Sequence, residues 1–173
     1  MKTFTCATST STGQVLNSRY PNQVKVTCKA DLQQVAKLDH VVATYKNNHR
    51  SNKNFLASDC VVMDIDNDHS EAPVEWITPD SLSELMAGVA FMTATSRNHM
   101  KIKGTESARP RFHVYYPITK ISDASEYAGL KKRLAARFGF FDANALDAGR
   151  FIYGNPAAEV TVFEGQRLLD EWL

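Results

Sequence analysis

Three aspartates, Asp64, Asp66 and Asp68, stand at alternate positions after an apolar run in the stretch VVMDIDNDHS. Side chains on a strand alternate between its faces, so Asp64 and Asp66 share one face while Met63 and Ile65 point to the other. Two carboxylates at this spacing repel one another unless a cation lies between them. A hard divalent ion answers that need, because Mg²⁺ accepts one or two carboxylates together with the oxygens of a substrate phosphate. The plain alternative is a strand end that runs into a solvated acidic turn.

Three further features favour the metal. In RFHVYY, Arg111, His113 and Tyr115 fall on one face and Phe112, Val114 and Tyr116 on the other. An arginine and a histidine side by side on a sheet make a phosphate-binding surface. FFDANALDAGRFIYG supplies another carboxylate, Asp142 or Asp147, just ahead of a segment carrying Arg150. The loop between Arg97 and Arg111 adds Lys101, Lys103 and Arg109, against the single acid Glu106. Joining two strands of the candidate site, that loop gives an otherwise neutral chain a local basic patch suited to nucleic acid.

The elements that must position these residues follow from periodicity and turn chemistry. TFTCAT, NQVKVTC, HVVATY, CVVMDID, VAFMTATS, RFHVYYPI, GRFIYG and EVTVF read as strands, and residues 8–13 and YKNNHRSNKN as polar loops. A short helix is expected after Asp31 as its N-cap, with Leu32, Val35, Ala36 and Leu38 inward. TPDSLSELMAG carries a threonine cap, a proline at the first helical position and a closing glycine. Residues 123–138 place Tyr127, Leu130, Leu134 and Phe138 on one helical face, and RLLDEWL reads as a C-terminal turn or helix. Some strands follow one another without an intervening helix, which suits an α+β sheet with helices packed on it better than a doubly wound parallel fold.

Bulk properties set the outer bounds. At 173 residues the chain suits a single domain, 1–173, with a real core. Hydrophobic content of 43% and charged content of 23% argue against disorder, and a net charge of +1 excludes a polycation. Three cysteines without a CxxC pair support neither a zinc ribbon nor a disulfide scaffold. No apolar leader core and no membrane-length apolar window occur, so the expectation is a soluble, cytoplasmic protein with no membrane partner.

VVMDID, RFHVYYPI and FDANALDAGRFIYGNP, in that order, resemble the three-motif pattern of the archaeo-eukaryotic primase superfamily. The resemblance spans roughly residues 45–156 and is closest to the primase–polymerase domains of phage and mobile-element replication proteins. It implies an RRM-like catalytic sheet with an added N-terminal α/β unit, and a DNA primase/polymerase that joins nucleotides by two-metal phosphoryl transfer. By position, the resemblance makes Asp64, Asp66 and Asp142 the ligands of two Mg²⁺ or Mn²⁺ ions, with Asp147 the rival for the third place. His113 and Arg111 would contact the incoming nucleotide's phosphates, with Arg109 and Arg150 as further nucleotide or template contacts. Many members carry Ser-x-His in the second motif, whereas Arg111 stands here in place of the serine and Ser96 lies far upstream. The implied partners are a DNA template, nucleoside triphosphates, and a helicase or helical accessory domain if the chain is an excised catalytic unit.

Two other classes compete. A two-metal nuclease also uses clustered carboxylates, but needs no nucleoside triphosphate. A non-catalytic single-strand binder could stack bases on Phe112, Tyr115 and Tyr116, yet would have no use for Asp64 and Asp66.

Overall fold

Alternation of apolar side chains builds two antiparallel sheets that share a core. The computed structural model describes residues 2–173. Strands β1 (Phe4–Thr8), β2 (Asn22–Val26) and β3 (His40–Val41) form the smaller sheet in the order β2-β1-β3, with helix α1 (Lys29–Val35) between β2 and β3 in the chain. The helix starts three residues earlier than expected, with Cys28 rather than Asp31 at the N-cap. Asp31 lies inside its first turn, where its carboxylate accepts the amides of Thr27 and Cys28 and favours the positive end of the helix dipole.

HVVATY is not one strand. Its first part is β3, and its last part is β4 (Thr44–Tyr45), which joins the larger sheet. That sheet continues with β5 (Phe55–Ile65), then β6 (Phe91–Thr95), β7 (Phe112–Ile121) and β8 (Val160–Phe163), in the spatial order β4-β5-β7-β6-β8. Every strand pair in it is antiparallel. The α+β expectation therefore holds, with a helix-bearing N-terminal unit beside the main sheet.

Odd and even residues of the central strands go to different cores. Val61, Met63 and Ile65 of β5, with Phe112, Val114 and Tyr116 of β7, pack under α2 (Pro79–Leu85), α3 (Ala124–Arg137) and α4 (Leu169–Trp172). Cys60, Val62 and Tyr115 face the other way, against Phe4, Leu32 and Val35 of the N-terminal unit. Asp64 ends that second row, at the edge of the interlayer core. Helix α3 has its expected face, since Asp123 caps the Glu126 amide at 2.8 Å and Tyr127, Leu130 and Leu134 are buried. In α2, Thr78 accepts the Ser81 amide and Pro79 fills the first helical position.

GRFIYG does not form the expected strand. It runs as an irregular strip, tied to β3 by a single bridge in which the His40 and Ile152 backbones exchange hydrogen bonds of 3.0 and 2.8 Å. Among the described residues, no helix is long and apolar enough to cross a membrane.

Candidate active site

The antiparallel register puts Asp64 of β5 directly opposite His113 of β7. His113 Nδ1 donates to Asp64 Oδ1 at 2.5 Å, and Arg150 Nη2 donates to Asp64 Oδ2 at 2.5 Å. Both carboxylate oxygens are therefore engaged, and the Asp64 side chain is only 7% exposed. Burial by itself would raise this carboxyl, but the charges and hydrogen bonds of His113 and Arg150 outweigh it and hold the group well below the usual carboxylate range. Asp66 lies just past the strand, partly exposed, with Lys103 Nζ 3.2 Å away. The repulsion expected between the two acids is thus relieved by cations of the protein itself.

Asn67 makes the turn that follows. Its φ of +57° is a left-handed conformation that asparagine tolerates. Its buried side chain accepts the Ile77 amide at 2.7 Å and donates to the Pro110 carbonyl at 2.8 Å.

Asp64, Asp66, His113 and Arg150 line one cavity of about 170 Å³, together with Ser96, Arg97, Asn98, Phe151, Ile152 and Tyr153. A larger cleft of about 570 Å³ lies against the first turns of α3, but Asp147 is its one carboxylate. The paired acids, the histidine and the arginine all belong to the smaller cavity, so the chemistry is assigned there.

The strip that carries Arg150 is fixed at both ends. Arg50 Nη1 donates to the Gly149 carbonyl at 2.7 Å. Asp39, fully buried, accepts the amides of Gly13, Gln14 and Gly154 at 2.7, 2.8 and 2.8 Å, which ties the strip to the loop after β1. At Gly154 an added Cβ would lie 2.6 Å from the Leu38 carbonyl carbon, so the close approach requires glycine. Below the site, buried His40 donates from Nδ1 to the Leu38 carbonyl and accepts the Tyr115 hydroxyl at Nε2, each at 2.7 Å. Burial pushes this histidine down to about 4, against the pull of the Leu38 hydrogen bond.

Two of the residues expected to meet nucleotide are elsewhere. Arg109 and Arg111 are completely buried. Arg109 donates to the Asn67 carbonyl at 2.9 Å and to Glu71 Oε1 at 2.5 Å. Arg111 precedes β7, and donates to the Lys101 carbonyl at 2.8 Å and to Glu106 Oε2 at 2.9 Å. Both also lie within 3.9 Å of Asp68, whose carboxyl is raised first by desolvation and then by Asp66 and Glu106. These arginines cross-link the acidic turn to the basic loop. A run of positive residues between strands read as a phosphate surface, but the neighbouring turn has its own acids to neutralise.

Asp142 is adjacent to Asp64 by its main chain, since its amide donates to the Asp64 carbonyl at 3.0 Å. Its carboxylate accepts the Asn144 amide at 2.8 Å, capping a short 3-10 turn over residues 143–145. Lys131, buried on α3, donates to the Ala145 carbonyl and holds this turn; burial lowers it to about 8 despite the pull of Asp64 and Asp147. Among the described residues, no group of three or more His, Cys, Asp or Glu stands ready to hold a metal ion. The donor set nonetheless fits a hard cation. Two carboxylates from successive same-face positions open onto one cavity, leaving other positions for phosphate oxygens and water.

Sequence reasoning counted Arg97 only as loop charge and passed over Phe151 and Tyr153. Arg97 lies over the Tyr153 ring, 3.8 Å from its centroid, and Tyr153 meets Phe151 edge-on at 4.7 Å. The available signal was the pair of glycines, Gly149 and Gly154, around a short aromatic run, a pattern that marks close backbone approach rather than a regular strand.

No family model matches the chain, and no curated protein matches it. Among solved structures, the chain is similar to the AEP domain of the cyanophage S-2L primase-polymerase (PrimPol), with 12% identity and a TM-score of 0.49, over 95% of this chain and 81% of that one.

Proposed function

We propose that this chain is a template-dependent nucleotidyltransferase, a DNA primase/polymerase, whose reaction centre is the Asp64 cavity. The observation that carries the reading is the joint presence there of Asp64, Asp66, His113 and Arg150. A binding domain would gain nothing by aiming two acids at phosphate, whereas phosphoryl transfer needs acids to hold cations and basic groups to hold the phosphates.

Asp64 and Asp66 would hold Mg²⁺ or Mn²⁺, with Asp142 as the third carboxylate once it releases its Asn144 cap. Such ions supply a more nucleophilic 3′-hydroxyl and neutralise charge on the triphosphate and its pyrophosphate leaving group. The chain's own part is positioning. Sheet register fixes Asp64 against His113, and the anchored strip fixes Arg150. Both basic groups are bound to Asp64 and would be available to phosphate oxygens if that carboxylate held a cation instead. Arg109 and Arg111 are given no substrate contact, because both side chains are fully buried and bound to the acids and carbonyls of the neighbouring turn and loop. Template DNA would be held by exposed cations of the basic loop, through contacts that weaken with salt.

The test is extension of a primer on a template with Mg²⁺ or Mn²⁺ and deoxy- or ribonucleoside triphosphates, following product length and pyrophosphate together. The expected result is equimolar elongation and pyrophosphate release, lowered about 100-fold or more by Asp64→Asn. Shortening of DNA without triphosphate would replace this reading with a nuclease.

A further inference from the structure

The cavity is small for what it would have to bind. Pockets that enclose a drug-sized ligand run to roughly 300–1,000 Å³, whereas this one has about 170 Å³. Resting on the nucleotidyl-transfer reading, the carboxylates, His113 and Arg150 take the phosphate end of a nucleotide. The rest of the ligand must then project past the rim.

One wall of that rim is flat and partly cationic. Arg97 is exposed, and its guanidinium stacks on the Tyr153 ring at 3.8 Å. Among the described residues no carboxylate pairs with it, in contrast to Arg109 and Arg111. Phe151 packs edge-on against Tyr153, and Arg50 covers Phe151 at 4.7 Å. Cations and rings thus run in series along the wall. Asp39 fixes it from behind, through Gly13 and Gln14 on one side and Gly154 on the other. A planar arginine stacked on a ring and left without an acid is a surface on which a nucleobase stacks.

We propose that Arg97 and Tyr153 form a stacking platform for the nucleobase of the bound nucleoside triphosphate. Every base has a π-face, so the platform accepts purines and pyrimidines alike, and leaves the choice of base to the template. Arg97 adds the flat surface and Tyr153 holds its plane.

Equilibrium binding to the full chain tests this, in Mn²⁺ without primer or template so that nothing turns over. The probes are dATP, dCTP and inorganic tripolyphosphate, which has the charge but no base. The wild type is expected to bind both nucleotides about 10-fold or more tighter than tripolyphosphate, the range that stacking of one base supplies. Arg97→Lys, which keeps the charge and loses the plane, and Tyr153→Leu should each erase most of that advantage and leave tripolyphosphate affinity and melting temperature unchanged. Tyr153→Phe should retain it. Equal wild-type affinity for all three probes overturns the platform while the nucleotidyl-transfer reading stands. A parallel loss of tripolyphosphate binding in Arg97→Lys also overturns it, because Arg97 would then be a phosphate ligand. Failure of the wild type to bind any of the three overturns both.

Discussion

Arg111 and Arg150 each end on a carboxylate, and the two regions that hold them invert the pair. Arg111 is the buried member, 0% exposed, and its partner Glu106 is 32% exposed. Arg150 is the outer member, 36% exposed, and its partner Asp64 is the buried one at 7%. The buried member of such a pair cannot lose its partner without leaving an uncompensated charge out of water. In the loop region the arginine is therefore held by the fold, tied also to the Lys101 carbonyl. In the cavity the carboxylate is the buried, fixed element, and the arginine opposite it is the outer one. On the proposed reading a divalent ion would take the place that Arg150 occupies, whereas Arg111 is enclosed in its loop. Charge read along the chain does not distinguish the two regions, but the burial of each partner does.

The comparison breaks most visibly in stability. Arg111→Ala should cost about 2–4 kcal/mol, because carbonyl acceptors in the loop lose their donor and the turn acids lose a cation. At this chain length each kcal/mol lowers the melting temperature by about 2–4 °C. Arg97→Ala, at the exposed rim, should stay within about 0.5 kcal/mol. Thermal denaturation of both variants at neutral pH checks the contrast, and equal losses would erase it.

Acid should unfold the floor of the cavity before its carboxylate titrates. His40 is neutral in the fold, because burial lowers its pKa from the ordinary 6.5 to about 4. Between those values the unfolded chain binds the extra proton, so stability falls as pH drops from about 6.5 to 4. The loss amounts to about 3 kcal/mol at 1.36 kcal/mol per pKa unit. Asp64 has the depressed pKa of a carboxylate, so its contribution is present above the unfolded carboxylate value and is lost only as pH falls below it. Urea denaturation from pH 7 to pH 4 should show the histidine slope, and His40→Gln should flatten it. A wild type flat across that window would mean that His40 is charged in the fold.

Asp39 sharpens the comparison from the cavity side. It is a buried acid whose partners are three backbone amides, so Asp39→Ala should cost on the order of 2 kcal/mol. Hydrogen exchange should rise at Gly13, Gln14 and Gly154 together, and a rise at one of them alone would deny it the role of shared anchor. A small effect is also expected at Lys103→Ala. That residue meets Asp66 at 3.2 Å with 44% exposure, and an exposed pair of this kind contributes no more than about 1 kcal/mol.

Much of this arrangement was legible in the chain because it depends on strand alternation. The face shared by Asp64 and Asp66 followed from period two, and so did the division of Phe112, Val114 and Tyr116 from His113 and Tyr115. The cross-strand register of Asp64 with His113 was not legible, since it is set by turns and bulges far along β5 and β7. The fate of Arg109 and Arg111 was hidden for another reason. Whether a basic residue is free depends on which acids fold back beside it, and Glu71 lies 38 residues from Arg109 in the chain. The strip at 149–154 misled because its aromatic composition suits a strand, while Gly154 brings its backbone too close to Leu38 for regular pairing.

Asp64 is buried against a cation of the protein, and on the proposed reading a divalent ion would supply that charge instead. Electron paramagnetic resonance of free Mn²⁺, titrated into the full chain with dATP and no primer, measures this directly. Saturable Mn²⁺ binding is expected, weakened about 10-fold or more in Asp64→Asn, with melting temperature followed in parallel. Equal Mn²⁺ affinity in the wild type and in folded Asp64→Asn would contradict it.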